Sequence, residues 1–206
     1  MSDSPLSRFP VPDLRDLPDD VRARIEAVQE KAGFVPNVFA VLAHRPDEFR
    51  AFFAYHDALM ERETEGLSRA EREMIVVATS AANDCLYCVI AHGALVRVYS
   101  KQPRLADQLA VNYRSADLLP RQRAMLDFAL KVATAAETLE DADFLPLRAA
   151  GFSDEAIWDI GAIAAFFALS NRLAAVTGLW PNHEFYLLGR LPRDRKPDDP
   201  NGGRTT

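Results

Sequence analysis

The 206-residue chain is poor in cysteine and in uninterrupted apolar sequence, and it is short of positive charge. Two cysteines cannot staple a secreted disulfide scaffold. Asp84, Asp159 and Arg172 interrupt the longest apolar stretches, so no membrane-spanning helix is expected. Lys and Arg number 24 against 30 Asp and Glu, and the net charge is −6. Without a clustered positive field, neither nucleic acid nor an anionic membrane is an expected partner. Nine glycines and thirteen prolines are an ordinary share, which excludes collagen-like and low-complexity chains. The start, Met-Ser-Asp-Ser-Pro, lacks the basic and apolar regions of a signal peptide, so a cytoplasmic location is expected. Alternating strand patterns are missing as well, and Ala, Leu and Glu dominate. What is present is 49% hydrophobic and 26% charged residues, an ordinary globular balance with enough apolar side chains for one sizeable core.

The periodicity predicts an all-α fold. Residues 1–17 carry Pro5, Pro10 and Pro12 and read as an extended lead-in. A single helical domain is expected over 18–192. Val21, Ile25 and Val28 repeat at helical spacing, with Gly33 as the stop. Pro36 opens a short helix, and a longer one carries Phe49, Phe53, His56 and Met60. Ser68 with Glu71 three residues on is a capping box, and the continuation Met74–Ala78 is apolar on every side. Further helices are expected from Asp84 to about Tyr99, near 104–111, from Pro120, over 141–150 up to Gly151, and from Ser153 onward. Trp158, Phe166 and Phe167 read as core or as a subunit contact, and His56 as a satisfied core histidine. Residues 193–206, charged and rich in Pro and Gly, are expected to be a disordered tail.

Both cysteines fall in one stretch, Glu73 to His92. Asn83-Asp84 breaks the preceding helix, and Asp84 suits the N-cap of the next. Cys85 and Cys88 then lie in the first turn, where the positive end of the helix dipole stabilises a thiolate. Their three-residue separation is close enough to bridge as a disulfide with modest adjustment of that turn. His92, four residues past Cys88, shares its face. A free thiol, with a pKa of about 8.5, is mostly protonated at neutral pH, and a helix end plus an imidazole is a physical route to activating it. By position Cys85, nearer the helix end, is the more acidic of the two. Glu73 heads a run of five apolar residues that draws it inward. Glu71, Arg72 and Glu73 fit a solvated first turn equally well, and spacing alone leaves both readings open.

Other roles for the cysteines fit less well. Zinc commonly takes two well-spaced pairs of ligands, whereas here one pair and His92 are at hand and His44, His56 and His183 have no ligand spacing. No metal and no cofactor are expected. A thioredoxin-type motif follows a strand in a βαβ unit, and none is visible. Two buried cysteines packing as small apolar groups explain either residue alone, but not their pairing at a helix start with a helix-phased histidine.

Glu73, Cys85-x-x-Cys88 and His92 together resemble the signature of AhpD-like alkylhydroperoxidases, within the carboxymuconolactone decarboxylase superfamily. The flanking stretches Gly33–Phe39, Ala43-His-Arg-Pro46 and Asn171-Arg-Leu-Ala174 are similar to its peroxidase-related branch, and the resemblance spans about residues 8–191. It implies an all-helical fold assembled into a dimer, trimer or hexamer, acting on a small hydroperoxide and reset by an external dithiol. It implies Cys88 as the peroxidatic thiolate, Cys85 as the resolving thiol, and Glu73 with His92 as a proton relay. One position departs: the founding enzymes carry His directly before the second cysteine, where this chain has Tyr87. A phenol, with a pKa near 10, cannot shuttle protons at neutral pH, so a shorter relay and weaker turnover are expected. The alternatives are a decarboxylase of the same superfamily, whose members generally lack the cysteine pair, and a non-catalytic or zinc-stabilised helical oligomer.

Overall fold

A computed structural model describes residues 6–190. The expected tail over 193–206 lies outside the described residues, as do Met1–Pro5 of the lead-in. Ten α-helices are found among the described residues: α1 Asp19–Ala32, α2 Asn37–Leu42, α3 Pro46–Met60, α4 Arg69–Ala82, α5 Leu86–Ser100, α6 Leu105–Asn112, α7 Pro120–Thr134, α8 Leu145–Ala149, α9 Asp154–Thr177 and α10 His183–Leu187. Apart from one isolated bridge between Thr64 and Leu67, the described residues hold no strand pairing. The fold is all-α.

Local chemistry sets most helix ends. Gly33 closes α1 and Gly178 closes α9 in the left-handed conformation that glycine adopts at least cost. Ser68 and Glu71 form the reciprocal capping box at the start of α4, and the Ser153 hydroxyl accepts from the Ala156 amide at the start of α9. The described part of the lead-in is not free chain. It docks on the C-terminus of α9, where the Ser7 hydroxyl and the Arg8 amide donate to Thr177 O and the Arg8 guanidinium donates to Ala175 O and Val176 O. The last carbonyls of a helix have no partner within it, and a cation there also opposes the helix dipole. Leu14–Asp16 adds a single 3₁₀ turn capped by Asp13.

The α4–α5 hairpin is the centre of the molecule, with α6, α7 and α9 packed around α4. Met74, Ile75, Val76, Val77 and Ala78 are all buried, as their unbroken apolar run requires. A smaller apolar cluster, built on Val21, Ile25, Phe49 and Phe53, joins α1 to α3, and Phe52 and Val38 pack against both clusters. Despite Asp159 and Arg172, α9 is long and apolar enough by length and composition to cross a bilayer. Its inner face, with Ile160, Ile163, Ala164 and Phe167, is core, the ordinary place for such a helix in a globular protein. Trp158 is no part of that core: it is 74% exposed, whereas Phe166 and Phe167 are buried. His56 sits half-buried against Phe166 and Phe167, with Nδ1 3.2 Å from the Asp57 carboxylate.

Candidate functional site

The site is built on the turn between α4 and α5. The Cys85 amide donates to Ser80 O at 2.9 Å and the Asp84 amide to Ala81 O at 3.2 Å. These two bonds make a Schellman motif, in which Asp84 takes the left-handed position with φ 53°. The sequence expectation that Asp84 caps α5 is therefore corrected: Asp84 ends α4, and Cys85 is the N-cap of α5. The chain turns so tightly that one residue closes the first helix and the next opens the second. Cys88 falls at the third position of α5, so both sulfurs lie at the positive end of its dipole.

Glu73 on α4 and His92 on α5 meet across the hairpin, with Oε2 2.7 Å from Nδ1 and side chains only 7% and 13% exposed. A carboxylate can only accept, so Nδ1–H donates and Nε2 is left free to take up a proton. The edge-to-face contact of the imidazole with Phe167, at 4.7 Å between ring centres, fixes the plane of the ring. The solvated first turn is overturned for all three residues. Glu71 is buried under Ser68 and Arg121, and Arg72 is paired with Asp159 in the interior.

Both cysteines are free and buried. The Cys85 thiol is lowered to about 6, first by the hydrogen bond from Cys88, with help from Asn171 and the field of His92, while burial opposes the shift. Cys88 moves the other way, because a Cys85 thiolate beside it and deep burial both disfavour a second negative charge. Of the two, the sulfur nearer the helix end is the more acidic.

Ser170 and Asn171 on α9 complete the site. The Ser170 hydroxyl is 3.9 Å from Cys88 Sγ. The Asn171 carboxamide donates to the Ser80 hydroxyl at 2.9 Å and accepts from the Asn83 side chain at 3.0 Å. Sequence reasoning used Asn171 only as a flanking likeness and missed Ser170, Ser80 and Asn83 as neighbours of the pair. The available signal was the polar step Ser170-Asn171-Arg172 in the middle of a largely apolar helix. Tyr87 is engaged outside the Glu73–His92 couple. Its hydroxyl accepts from the Val38 amide at 3.3 Å, its ring meets Phe185 edge-on, and burial pushes its pKa well up. Among the described residues no group of three or more His, Cys, Asp or Glu is arranged to hold a metal ion.

Comparison with known proteins matches the chain to a family. The model of the carboxymuconolactone decarboxylase family matches residues 46–131. An alkylhydroperoxidase AhpD core, an uncharacterized peroxidase-related protein from Ralstonia eutropha, is 66% identical over 92% of this chain and 100% of its own, with a TM-score of 0.90. An uncharacterized peroxidase-related protein from a Silicibacter species is 43% identical over 92% of this chain and 97% of its own, with a TM-score of 0.84. A protein of unknown function from Agrobacterium tumefaciens is 26% identical over 68% of this chain and 94% of its own, with a TM-score of 0.61. No curated protein matches the chain. With 66% identity to one AhpD-core relative over 92% of this chain and the whole of that one, the chain belongs to the carboxymuconolactone decarboxylase family, among its AhpD-like, peroxidase-related members.

Proposed function

We propose that the protein is a thiol peroxidase that reduces small hydroperoxides through a Cys85/Cys88 dithiol–disulfide cycle with Glu73 and His92 as proton relay. The observation that carries this reading is the pairing of two buried, free thiols at the start of α5 with a Glu73–His92 couple on the same helical hairpin. Cys85, the more acidic thiol, gives its proton to His92, and transfer of the Cys88 proton to the Cys85 thiolate leaves the negative charge on Cys88. The Cys88 thiolate attacks one peroxide oxygen, forming a Cys88 sulfenic acid and breaking the O–O bond. The departing alkoxide takes its proton from His92, whose imidazolium is stabilised by the Glu73 carboxylate. The Cys85 thiol then condenses with the sulfenic acid, closing a disulfide and releasing water, which protects Cys88 from further oxidation. An external dithiol resets the pair, entering at Cys85, the more exposed sulfur.

Peroxide consumption with dithiothreitol as donor tests the cycle. The parent is expected to turn over. Cys88→Ser is expected to be inactive, and Cys85→Ser to form a trappable sulfenic acid once without turnover. Oxidised parent should show the loss of two hydrogens within the peptide holding both cysteines. An inactive parent, or a Cys88→Ser variant as active as the parent, overturns the reading.

A further inference from the structure

The buried face of α9 runs through Ile160, Ile163, Phe167 and Ala174, and three polar residues interrupt it: Asp159, Ser170 and Asn171. A polar group taken out of water costs free energy unless it finds a hydrogen-bond partner. Two of the three have oxygen or nitrogen partners, Asp159 in Arg72 and Thr64, and Asn171 in Ser80 and Asn83. Ser170 does not. A hydroxyl inside a helix has a ready local acceptor in the carbonyl four residues earlier. Thr79, Thr134 and Thr177 use it, donating to Ile75 O, Leu130 O and Leu173 O. Ser170 leaves Phe166 O aside. Among the described residues its one hydrogen-bond partner is Cys88 Sγ, at 3.9 Å, and both residues are buried.

We infer that Ser170 is the hydrogen-bond partner that lets the buried Cys88 sulfur carry negative charge: its hydroxyl accepts from the Cys88 thiol and rotates to donate once that proton has left. A hydroxyl can do both, whereas an amide N–H only donates and a carbonyl only accepts. The bond donated to the thiolate is charge-assisted and stronger than any bond to the neutral thiol, so it favours the charged form. Cys88 has more need of such a partner than Cys85. It lies deeper, and Cys85 and burial together push its pKa up, with Ser170 among the groups that oppose the shift. The titratable groups around the two sulfurs are Cys85 itself, Tyr87, and His92 with its partner Glu73. Ser170 is neutral, so removing its hydroxyl changes no charge. The consequence for peroxide attack rests on the thiol-peroxidase reading. The charge on Cys88 does not, and it can be titrated without peroxide.

The test is the titration of Cys88 alone. The chain has two cysteines, so in Cys85→Ala protein labelled with ¹³C-cysteine a single Cβ resonance follows the Cys88 thiolate against pH. Adding Ser170→Ala, which suits the apolar face of α9 and introduces no charge, should raise the midpoint by about one pH unit, leaving about tenfold less thiolate below it. Ser170→Thr in its place keeps the hydroxyl and should hold the midpoint where Ser170 has it. A Ser170 that only fills space predicts the same midpoint in Ser170→Ala, and that result overturns the inference. So does a rise that Ser170→Thr shares. Should the variants unfold, a crystal structure of the reduced parent decides. Oγ within hydrogen-bonding reach of Cys88 Sγ supports the assignment, and Oγ turned back onto Phe166 O overturns it. A midpoint that responds to Ser170 in a protein that consumes no peroxide refutes the proposed function and leaves this inference standing. Peroxide turnover with a midpoint indifferent to Ser170 does the reverse.

Discussion

Arg72 and Asp159 form an ion pair in the interior, Nη2 to Oδ2 2.7 Å, with side chains 1% and 2% exposed. Thr64 accepts from the same guanidinium and donates to the same carboxylate, and Leu59 O takes the other Nη. The pair ties the first turn of α4 to α9, one residue before Glu73. Removing one partner strands a buried charge, so Asp159→Ala should cost about 3–5 kcal/mol, whereas an apolar pair such as Arg72→Met with Asp159→Leu should cost far less. Chemical denaturation of the three proteins measures this. Equal losses in the single and double variants would show that packing, and not charge, governs the position.

The Glu73–His92 couple makes a kinetic prediction. Glu73→Gln and His92→Phe keep approximate size but remove proton transfer, which typically contributes ~10²–10⁴-fold in rate. Peroxide reduction should fall accordingly while circular dichroism stays unchanged. Parent-like turnover in Glu73→Gln, at unchanged helicity, would limit Glu73 to orienting the ring.

Stability should depend on pH through Cys85. Its folded-state pKa of about 6 lies below the value of about 8.5 for an unfolded thiol. Between these two values the unfolded chain binds more proton, so stability rises with pH. The contribution is complete above about 8.5 and is lost as pH falls through 6. Cys88, shifted upward, acts in the opposite sense only above the free-thiol value. Urea denaturation of reduced parent and Cys85→Ser should therefore diverge between these pH limits. A constant difference across that window would mean the thiolate has no privileged place in the fold.

The outer face of α9 leads to a prediction about assembly. Trp158, Ala162, Ala165, Leu169, Arg172 and Val176 follow one another at alternating steps of four and three, the spacing of a coiled-coil seam. All are exposed except the half-buried Ala162. Packing of this seam against a second copy would cover Trp158, Leu169 and Val176, which are otherwise large apolar groups in water. Light scattering at micromolar concentration should give a multiple of 22.9 kDa, and Trp158→Glu should shift it toward the single-chain mass. A parent of single-chain mass refutes the seam.

Much of this protein was decided within short stretches of sequence. The apolar run Met74–Ala78, the Ser68/Glu71 capping box, and the glycines after α1 and α9 act over one or two turns, so their outcome can be read from neighbouring residues. The candidate residues Glu73, Cys85, Cys88 and His92 were legible for the same reason, since they fall on consecutive helices of one hairpin and carry chemistry that few other residues can supply. Tertiary structure alone decided what surrounds them. Asp84 reads as an N-cap by residue type, but the reversal from α4 into α5 leaves room for a single left-handed residue there and passes the cap to Cys85. Arg72 reads as a surface charge until Asp159, 87 residues away in sequence, arrives to neutralise it. Ser170 meets Cys88, and Asn171 meets Ser80 and Asn83, only when α9 packs against α4 and α5. Local propensity acts through neighbours along the chain, whereas a buried charge or a thiolate is stabilised by whatever the fold brings within hydrogen-bonding distance, and sequence separation carries no record of that distance.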